Sequence, residues 1–197
     1  LILLAAVSHS VPASAQQAAA PALGDEARRP KLTKPPKLAL IGVRSCDLHA
    51  IAIQDRVFDA GEHVDPDYRA RREGAFVIAV NCGQAGDNCF CSSMNTGPRA
   101  TSGYDLARWE LLDAPHRFVV EVGSSRGADL LAKLTAARAS AADVALAEQQ
   151  SVTTAGSMKK TLDTQGIQAL LYENLDNPRW DDVAQRCLSC ANCTMVC

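Results

Sequence analysis

Two short apolar runs mark the first half of the chain, and each predicts a buried strand. Residues 38–43 are Leu-Ala-Leu-Ile-Gly-Val, and residues 75–80 are Ala-Phe-Val-Ile-Ala-Val. Nearly continuous apolar runs of this length are typical of strands that are covered on both faces. Apolar positions at Leu48, Ile51 and Ala52 then predict a short helix directly after the first strand. Together these patterns predict an α/β domain.

A hairpin and a series of helices are predicted farther along the chain. The hairpin pairs residues 104–112 with residues 117–123 across a turn. The spacing of apolar residues then predicts four helices, at residues 127–137, 141–158, 165–175 and 179–186. Residues suited to the first position of a helix precede each of them: Ser124 or Ser125, Ser140, Thr161 or Asp163, and Pro178.

Composition places the chain among globular proteins and excludes several functional classes. Hydrophobic residues make up 47% and charged residues 21% of the sequence, which suffices for a packed core. A net charge of −2 and an aromatic content of 5% provide neither the basic surface nor the stacking surface of a nucleic-acid-binding protein. No apolar run approaches the roughly 20 residues that a membrane-spanning helix needs.

The last eleven residues carry the strongest chemical signal. They contain four cysteines in the pattern C-x2-C-x2-C-x3-C, namely Cys187, Cys190, Cys193 and Cys197. Gaps of two residues let one tight turn present three thiolates to three irons of a [4Fe–4S] cubane, and the fourth cysteine of such a run ligates the other cluster in two-cluster ferredoxins. We therefore predict that Cys187, Cys190 and Cys193 bind one cluster and that Cys197 binds a second.

A zinc site is the alternative for this cysteine run. Structural zinc usually takes two C-x2-C pairs separated by a longer loop, so that four ligands form a tetrahedron. Three cysteines within seven residues fit that arrangement poorly. The spacing therefore favours iron–sulfur binding.

Four further cysteines stand in the predicted α/β domain: Cys46, Cys82, Cys89 and Cys91. Cys46 follows the first strand and Cys82 follows the second. If these strands are parallel neighbours, all four thiols lie near the edge of the sheet where α/β proteins place their sites. Four thiols are a complete ligand set for an additional cluster. The alternatives are a zinc site, small buried core cysteines, or a reactive thiol at Cys46, whose pKa a helix N-terminus would lower.

The predicted elements divide the chain into three parts. Residues 1–36, rich in Ala, Pro and Ser, predict a poorly ordered or leader-like arm. Residues 37–137 are predicted to form the α/β domain, a small mixed sheet with flanking helices. Residues 138–197 are predicted to form a helical segment and the start of a truncated, α-helical, ferredoxin-like [4Fe–4S] domain.

The two ends of the sequence indicate a partial chain. It begins at Leu1 and ends on a predicted metal ligand, Cys197. Residues 1–15 resemble the end of a signal peptide, because a short apolar run precedes small residues in an A-x-A pattern. Cluster cysteines need reducing surroundings, so we expect a cytoplasmic protein, with export as the alternative.

Four separated segments carry a resemblance to a known family, namely residues 42–48, 81–82, 89–98 and 186–197. In this order they look like the iron–sulfur beta subunit of cytoplasmic sulfhydrogenases, and the iron–sulfur subunit of anaerobic sulfite reductase is similar. The resemblance covers roughly residues 37–197.

The resemblance implies an iron–sulfur electron-transfer subunit of an oxidoreductase complex, of the hydrogenase or the sulfite/sulfur reductase type, that is not itself catalytic. It implies two C-terminal [4Fe–4S] clusters in the full-length protein, to which the upstream cysteines could add a third. The expected partners are a hydrogenase or reductase catalytic subunit together with a flavin-containing NAD(P)H subunit. The alternative is a zinc-stabilised interaction module without redox activity.

Overall fold

A six-stranded mixed sheet with helices is the centre of the structure, a computed structural model that describes residues 2–5, 37–113 and 115–190. The strands are β1 (Ile2–Ala5), β2 (Ala39–Arg44), β3 (Phe76–Val80), β4 (Leu106–Leu111), β5 (Arg117–Val122) and β6 (Ala137–Arg138). Their order in the sheet is β2-β3-β4-β5-β1-β6. The pairs β2/β3 and β3/β4 are parallel, whereas β4/β5, β5/β1 and β1/β6 are antiparallel.

In the described part of the chain, six helices lie between and after the strands. They are α1 (Ser45–Phe58), α2 (Pro66–Gly74), α3 (Ser125–Leu131), α4 (Ala141–Gly156), α5 (Ile167–Tyr172) and α6 (Arg179–Gln185). The predicted caps of two of them are confirmed. The hydroxyl of Ser124 accepts from the N–H of Gly127 at 3.1 Å, and that of Ser140 accepts from the N–H of Asp143 at 3.1 Å. The predicted hairpin is confirmed as β4 and β5.

Successive side chains of β4 point to opposite faces of the sheet, so β4 contributes core residues to both faces. Ala107 packs with Leu48 of α1, and Trp109 packs with Ala147 of α4, so these two helices cover one face. The indole Nε1–H of Trp109 donates to the Ser151 hydroxyl of α4 at 2.9 Å, which satisfies a donor that is otherwise buried. On the opposite face, Leu106 packs against Leu131 of α3.

The strand at Ile2–Ala5 corrects the prediction of a poorly ordered arm for these four residues of the segment 1–36. Its four residues pair with β5 on one side and with β6 on the other. An apolar Ile-Leu-Leu-Ala sequence suits a strand, and β5 and β6 provide its partners in the sheet. Residues 6–36 lie outside the described part of the chain.

Two further predictions differ from the structure. The first apolar run does form β2, but all of its residues except the half-buried Val43 are exposed, because β2 is the edge strand of the sheet. The polar segment after α1 contains the helix α2, for which no helix was predicted. Asp65 caps it by accepting from the N–H of Asp67 and Tyr68, and Pro66 is its first residue.

The helices that lead to the C-terminal cysteines form near their predicted positions but are shorter. Helix α5 begins after Gly166, whose positive φ of 67° ends the preceding turn, and not after Thr161 or Asp163. Helix α6 begins after Pro178, as predicted. Nearly all residues of both helices are exposed. Among the described residues, no helix is long and apolar enough to cross a membrane.

A buried carboxylate joins β3, β4 and α3. Asp105 is 3% exposed, and its Oδ2 accepts from the backbone N–H of Val77 at 2.7 Å. Its Oδ1 accepts from the Ser124 hydroxyl, and the Arg126 guanidinium donates to both oxygens at 3.0 and 3.1 Å. Burial acts to raise the pKa of Asp105, but these hydrogen bonds and the charge of Arg126 outweigh it, so the pKa is lowered.

We expect Asp105→Asn to lower the free energy of unfolding at pH 7 by about 2–3 kcal/mol, because an amide keeps one acceptor oxygen where the carboxylate has two. Urea unfolding followed by circular dichroism measures this change. Asp129→Asn changes an exposed carboxylate on helix α3, which Asp105 contacts, and this matched control should change the stability by less than about 0.5 kcal/mol. Equal effects of the two substitutions would contradict the role given to Asp105.

The same carboxylate predicts a pH dependence. Because the pKa of Asp105 is lower in the folded chain than its ordinary value of 3.8, the ionised form stabilises the fold. This contribution is complete at pH values above 3.8 and is lost as the pH falls through the folded-state pKa. The stability difference between the native chain and Asp105→Asn should therefore shrink below pH 4, as unfolding curves over a pH series would show.

Candidate functional site

The parallel pairing of β2 and β3 brings two cysteines to one edge of the sheet. Arg44, the last residue of β2, pairs with Val80, the last residue of β3. Cys46 and Cys82 each stand two residues beyond this pair. Both therefore lie at the carboxyl edge of the parallel strands, as the sequence predicts for strands in this arrangement.

A bulge in β2 sets this register. Ile41 pairs with Ile78, but Val43 pairs with Ala79, so Gly42 is an extra residue in β2. Gly42 has a φ of 89°, which glycine adopts without the steric cost that a side chain would add.

The loop after β3 adds the other two cysteines. A backbone hydrogen bond joins the two ends of this loop: the N–H of Cys82 donates to the carbonyl of Pro98 at 3.3 Å. The buried side chain of Asn81 accepts from the N–H of Ala100 at 2.7 Å and donates to the carbonyl of Arg108 at 3.4 Å. The Ser45 hydroxyl, at the start of α1, donates to the carbonyl of Arg99 at 2.9 Å. These contacts fix the loop against β4 and α1.

All four upstream cysteines line one cavity of about 670 Å³ at this edge. Arg44 and Met158 also line it. Within the loop, the backbone N–H of Gly86 donates to Sγ of Cys89 at 3.3 Å. None of the thiols is joined in a disulfide. The structure thus brings together the four residues that the sequence proposed as one ligand set: Cys46, Cys82, Cys89 and Cys91.

The thiols interact electrostatically across the cavity. Burial raises the pKa of Cys82, and the neighbouring cysteines raise it further, whereas Arg44 opposes the shift. Burial raises the pKa of Cys91, and its electrostatic interaction with Cys46 and Cys89 raises it further. Burial and the charge of Asp47 also raise the pKa of Cys46. This raised pKa does not favour the alternative of a reactive, low-pKa thiol at Cys46.

The four thiols do not converge on a single point. Among the residues that the structure describes, no three His, Cys, Asp or Glu side chains lie close enough together to hold one metal ion. His49 is exposed and does not line the cysteine cavity. The four thiols therefore share one cavity without forming the ligand set of a single metal ion.

A segment after α4, which we call the strap (residues 157–163), crosses the cysteine loop. Sδ of Met158 lies 3.2 Å from the Ser92 hydroxyl and 3.9 Å from Sγ of Cys91. Lys159 pairs with Asp87 at 3.1 Å, and the N–H of Leu162 donates to the Ser93 hydroxyl at 3.0 Å. The sequence carries no signal for this role of Met158, since nothing in its local pattern indicates that the chain returns to the loop.

Comparison with known proteins supports a family assignment. Sulfhydrogenase 2 subunit beta of Pyrococcus furiosus is 33% identical to this chain over 168 residues, which cover 82% of the chain and 47% of that protein. The chain belongs to the family of sulfhydrogenase beta subunit-like proteins. It spans about half the length of this relative. No family model matches the chain, and no solved structure matches it.

The C-terminal cysteines of this sulfhydrogenase beta subunit-like chain are described only in part. Cys187 and Cys190 are exposed, and neither is in a disulfide. The N–H of Ser189 donates to Sγ of Cys187 at 3.3 Å, and Ser189 has a left-handed backbone with a φ of 51°. Cys193 and Cys197 lie outside the described residues.

Asn81 offers a test of how the cysteine loop is held. Asn81→Ala removes both side-chain hydrogen bonds and leaves the N–H of Ala100 buried without its acceptor, so we expect a loss of about 1–3 kcal/mol in the free energy of unfolding. Thermal or urea unfolding measures the loss. Asn88→Ala, in an exposed part of the same loop, should cost less than about 0.5 kcal/mol. A stability unchanged by Asn81→Ala would contradict this role.

Proposed function

We propose that this chain is an iron–sulfur electron-transfer subunit of an oxidoreductase complex. The observation that carries the proposal is the C-terminal run Cys187-x2-Cys190-x2-Cys193-x3-Cys197, whose spacing is that of bacterial [4Fe–4S] ferredoxin motifs. Kinship with a sulfhydrogenase beta subunit supports it, because the name of that relative describes one subunit of a hydrogenase.

In this proposal Cys187, Cys190 and Cys193 hold one [4Fe–4S] cluster, and Cys197 is a ligand of the second cluster of the full-length protein. When bound, such clusters supply reversible one-electron transfer at potentials set by hydrogen bonding and burial. The described part of the run fits this use. The Cys187 and Cys190 thiols are free, and the N–H of Ser189 already donates to a cysteine sulfur, as backbone amides do around cluster ligands.

The proposed partners are those of an electron-transfer subunit. A flavin-containing NAD(P)H subunit stands on one side of the electron path, and a hydrogenase or reductase catalytic subunit stands on the other. The chain's own role is to bind, position and shield its clusters without making or breaking substrate bonds. The thiolate ligands require reducing surroundings, so the proposal includes a cytoplasmic location.

Metal analysis of a ligand variant tests the proposal. The chain purified without oxygen should contain iron and acid-labile sulfide, and Cys187→Ser/Cys190→Ser should remove about four of each per chain, because two of the three predicted ligands of one cluster are lost. Low-temperature EPR of the reduced protein should lose the corresponding signal.

Leu188→Ala is the matched control, since this residue stands between the two cysteines and is 91% exposed. It should retain the iron. Iron content unaffected by the double substitution, or stoichiometric zinc in place of iron, would overturn the proposal. The zinc result would instead identify a zinc-stabilised interaction module.

A further inference from the structure

We infer that Cys46, Cys82, Cys89 and Cys91 form a separate binding site for an additional cubane iron–sulfur cluster at the carboxyl edge of β2 and β3. This inference goes beyond the proposed function, because it uses none of the C-terminal cysteines. It rests on where the fold places the four thiols, on the size of the cavity between them and on the charges around it.

The placement of the thiols involves three separate parts of the chain. Cys46 comes from the start of α1, Cys82 from the end of β3, and Cys89 and Cys91 from the middle of the loop. Packing of a core would not require these thiols to meet, since none of the four is fully buried. They nevertheless line one cavity, and the loop that carries three of them is fixed at both ends.

The size of the cavity favours a cluster over a single metal ion. Zinc would draw four sulfurs to about 2.3 Å from one centre. Among the described residues no three ligands converge in this way, although all four thiols line the same cavity, whose whole volume is about 670 Å³. A cubane instead takes one thiolate at each of four irons, so its ligands surround a volume. The arrangement of the four cysteines fits the second requirement.

The cavity also offers hydrogen bonds to sulfur. The N–H of Gly86 donates to Sγ of Cys89, so one prospective thiolate has a backbone donor before any metal is bound. Gly97 lies against Cys91, and a Cβ there would stand 3.0 Å from the Cys91 sulfur. A backbone that approaches the ligand sulfurs this closely is typical of sites that enclose a cluster, because amide groups tune its potential.

The charges around the cavity suit a ligand with net negative charge. Four thiolates outweigh the positive charge of the cluster core, so the occupied site needs a nearby cation. Arg44 lines the cavity and acts electrostatically on Cys46 and Cys82. Asp87, the anionic residue of the lining, is paired with Lys159 of the strap. Asp47 acts in the opposite sense on Cys46, so Arg44 is the cation that offsets part of the negative charge of an occupied site.

The experiment isolates the upstream site in the full chain. In Cys187→Ser/Cys190→Ser/Cys193→Ser the C-terminal run can no longer complete a cluster. Anaerobic reconstitution of this variant with ferrous iron and sulfide should give about four irons and four sulfides per chain, together with a low-temperature EPR signal after reduction. Adding Cys89→Ser/Cys91→Ser should abolish both.

Two further variants separate loss of ligands from loss of fold. Gln84→Ala changes a residue that lines the same cavity without a thiol, and it should retain the iron. Cys46→Ser changes an exposed residue at the start of α1, so the fold should persist while the cluster is lost or reduced in amount. Circular dichroism confirms folding in each case.

Three outcomes would overturn the inference: no iron in the triple variant, iron that persists without Cys89 and Cys91, or one zinc ion per chain in place of iron. The first leaves the proposed function intact, because only the C-terminal run would then bind a cluster. If the proposed function is wrong, the result is different: the triple substitution does not lower the iron content.

Arg44 gives the inference a second readout. Its positive charge stabilises the reduced, more negative cluster, so Arg44→Gln should lower the reduction potential of the reconstituted triple variant while iron content stays unchanged. Arg44→Lys should restore most of the potential. Redox titration followed by EPR measures both. An unchanged potential in Arg44→Gln, with iron retained, would contradict a cluster beside Arg44.

Discussion

The parallel pairing of β2 with β3 is the constraint on which the upstream site depends. The sheet order makes these strands neighbours, and the bulge at Gly42 sets which residues end opposite each other. A regular β2 would move its last residues by one position relative to β3, and α1 would begin at a different height above the sheet. The extra residue therefore decides whether the first cysteine of the group stands level with the second.

Buried polar side chains then hold the irregular backbone around this edge. The loop after β3 has no strand partner, so its backbone groups need side-chain acceptors and donors. Asn81 supplies them at the start of the loop, and Ser45 supplies one from α1. Asp105 accepts a hydrogen bond from the N–H of Val77 in β3, the strand that precedes the loop. The cysteines are thus carried by a loop, but the loop is positioned by rigid elements.

Much of the fold follows from local patterns in the sequence. Strand β3, the hairpin and the serine caps of α3 and α4 are each determined by a few neighbouring residues, and these predictions are confirmed, although β3 is fully buried on one face and half-buried on the other. The exposure of β2 and the strand at Ile2–Ala5 depend on sheet order, which local periodicity does not encode. The sequence pattern does not predict helix α2, although Asp65 and Pro66 form a good N-terminus, because its remaining residues are too polar to show an apolar stripe.

The candidate site, like the fold, is only partly predictable from the sequence. Its cysteines were identifiable from their types and from their places after strands, whereas Met158, Lys159 and Arg44 become part of it only through tertiary contacts. The two cysteine groups also differ in what their spacing reveals. The spacing within the C-terminal run is enough to indicate its chemistry. The upstream thiols are spread over 46 positions, so only the fold shows that they share a cavity.

The strap has a consequence for how firmly the cavity is enclosed. Its ion pair between Lys159 and Asp87 is exposed on both sides, and exposed pairs contribute less than about 1 kcal/mol. The other walls are a paired strand, a helix start and a loop fixed by buried hydrogen bonds. Displacing the strap therefore costs less free energy than displacing the paired strand, the helix start or the fixed loop, so the strap is the weakest wall of the cavity.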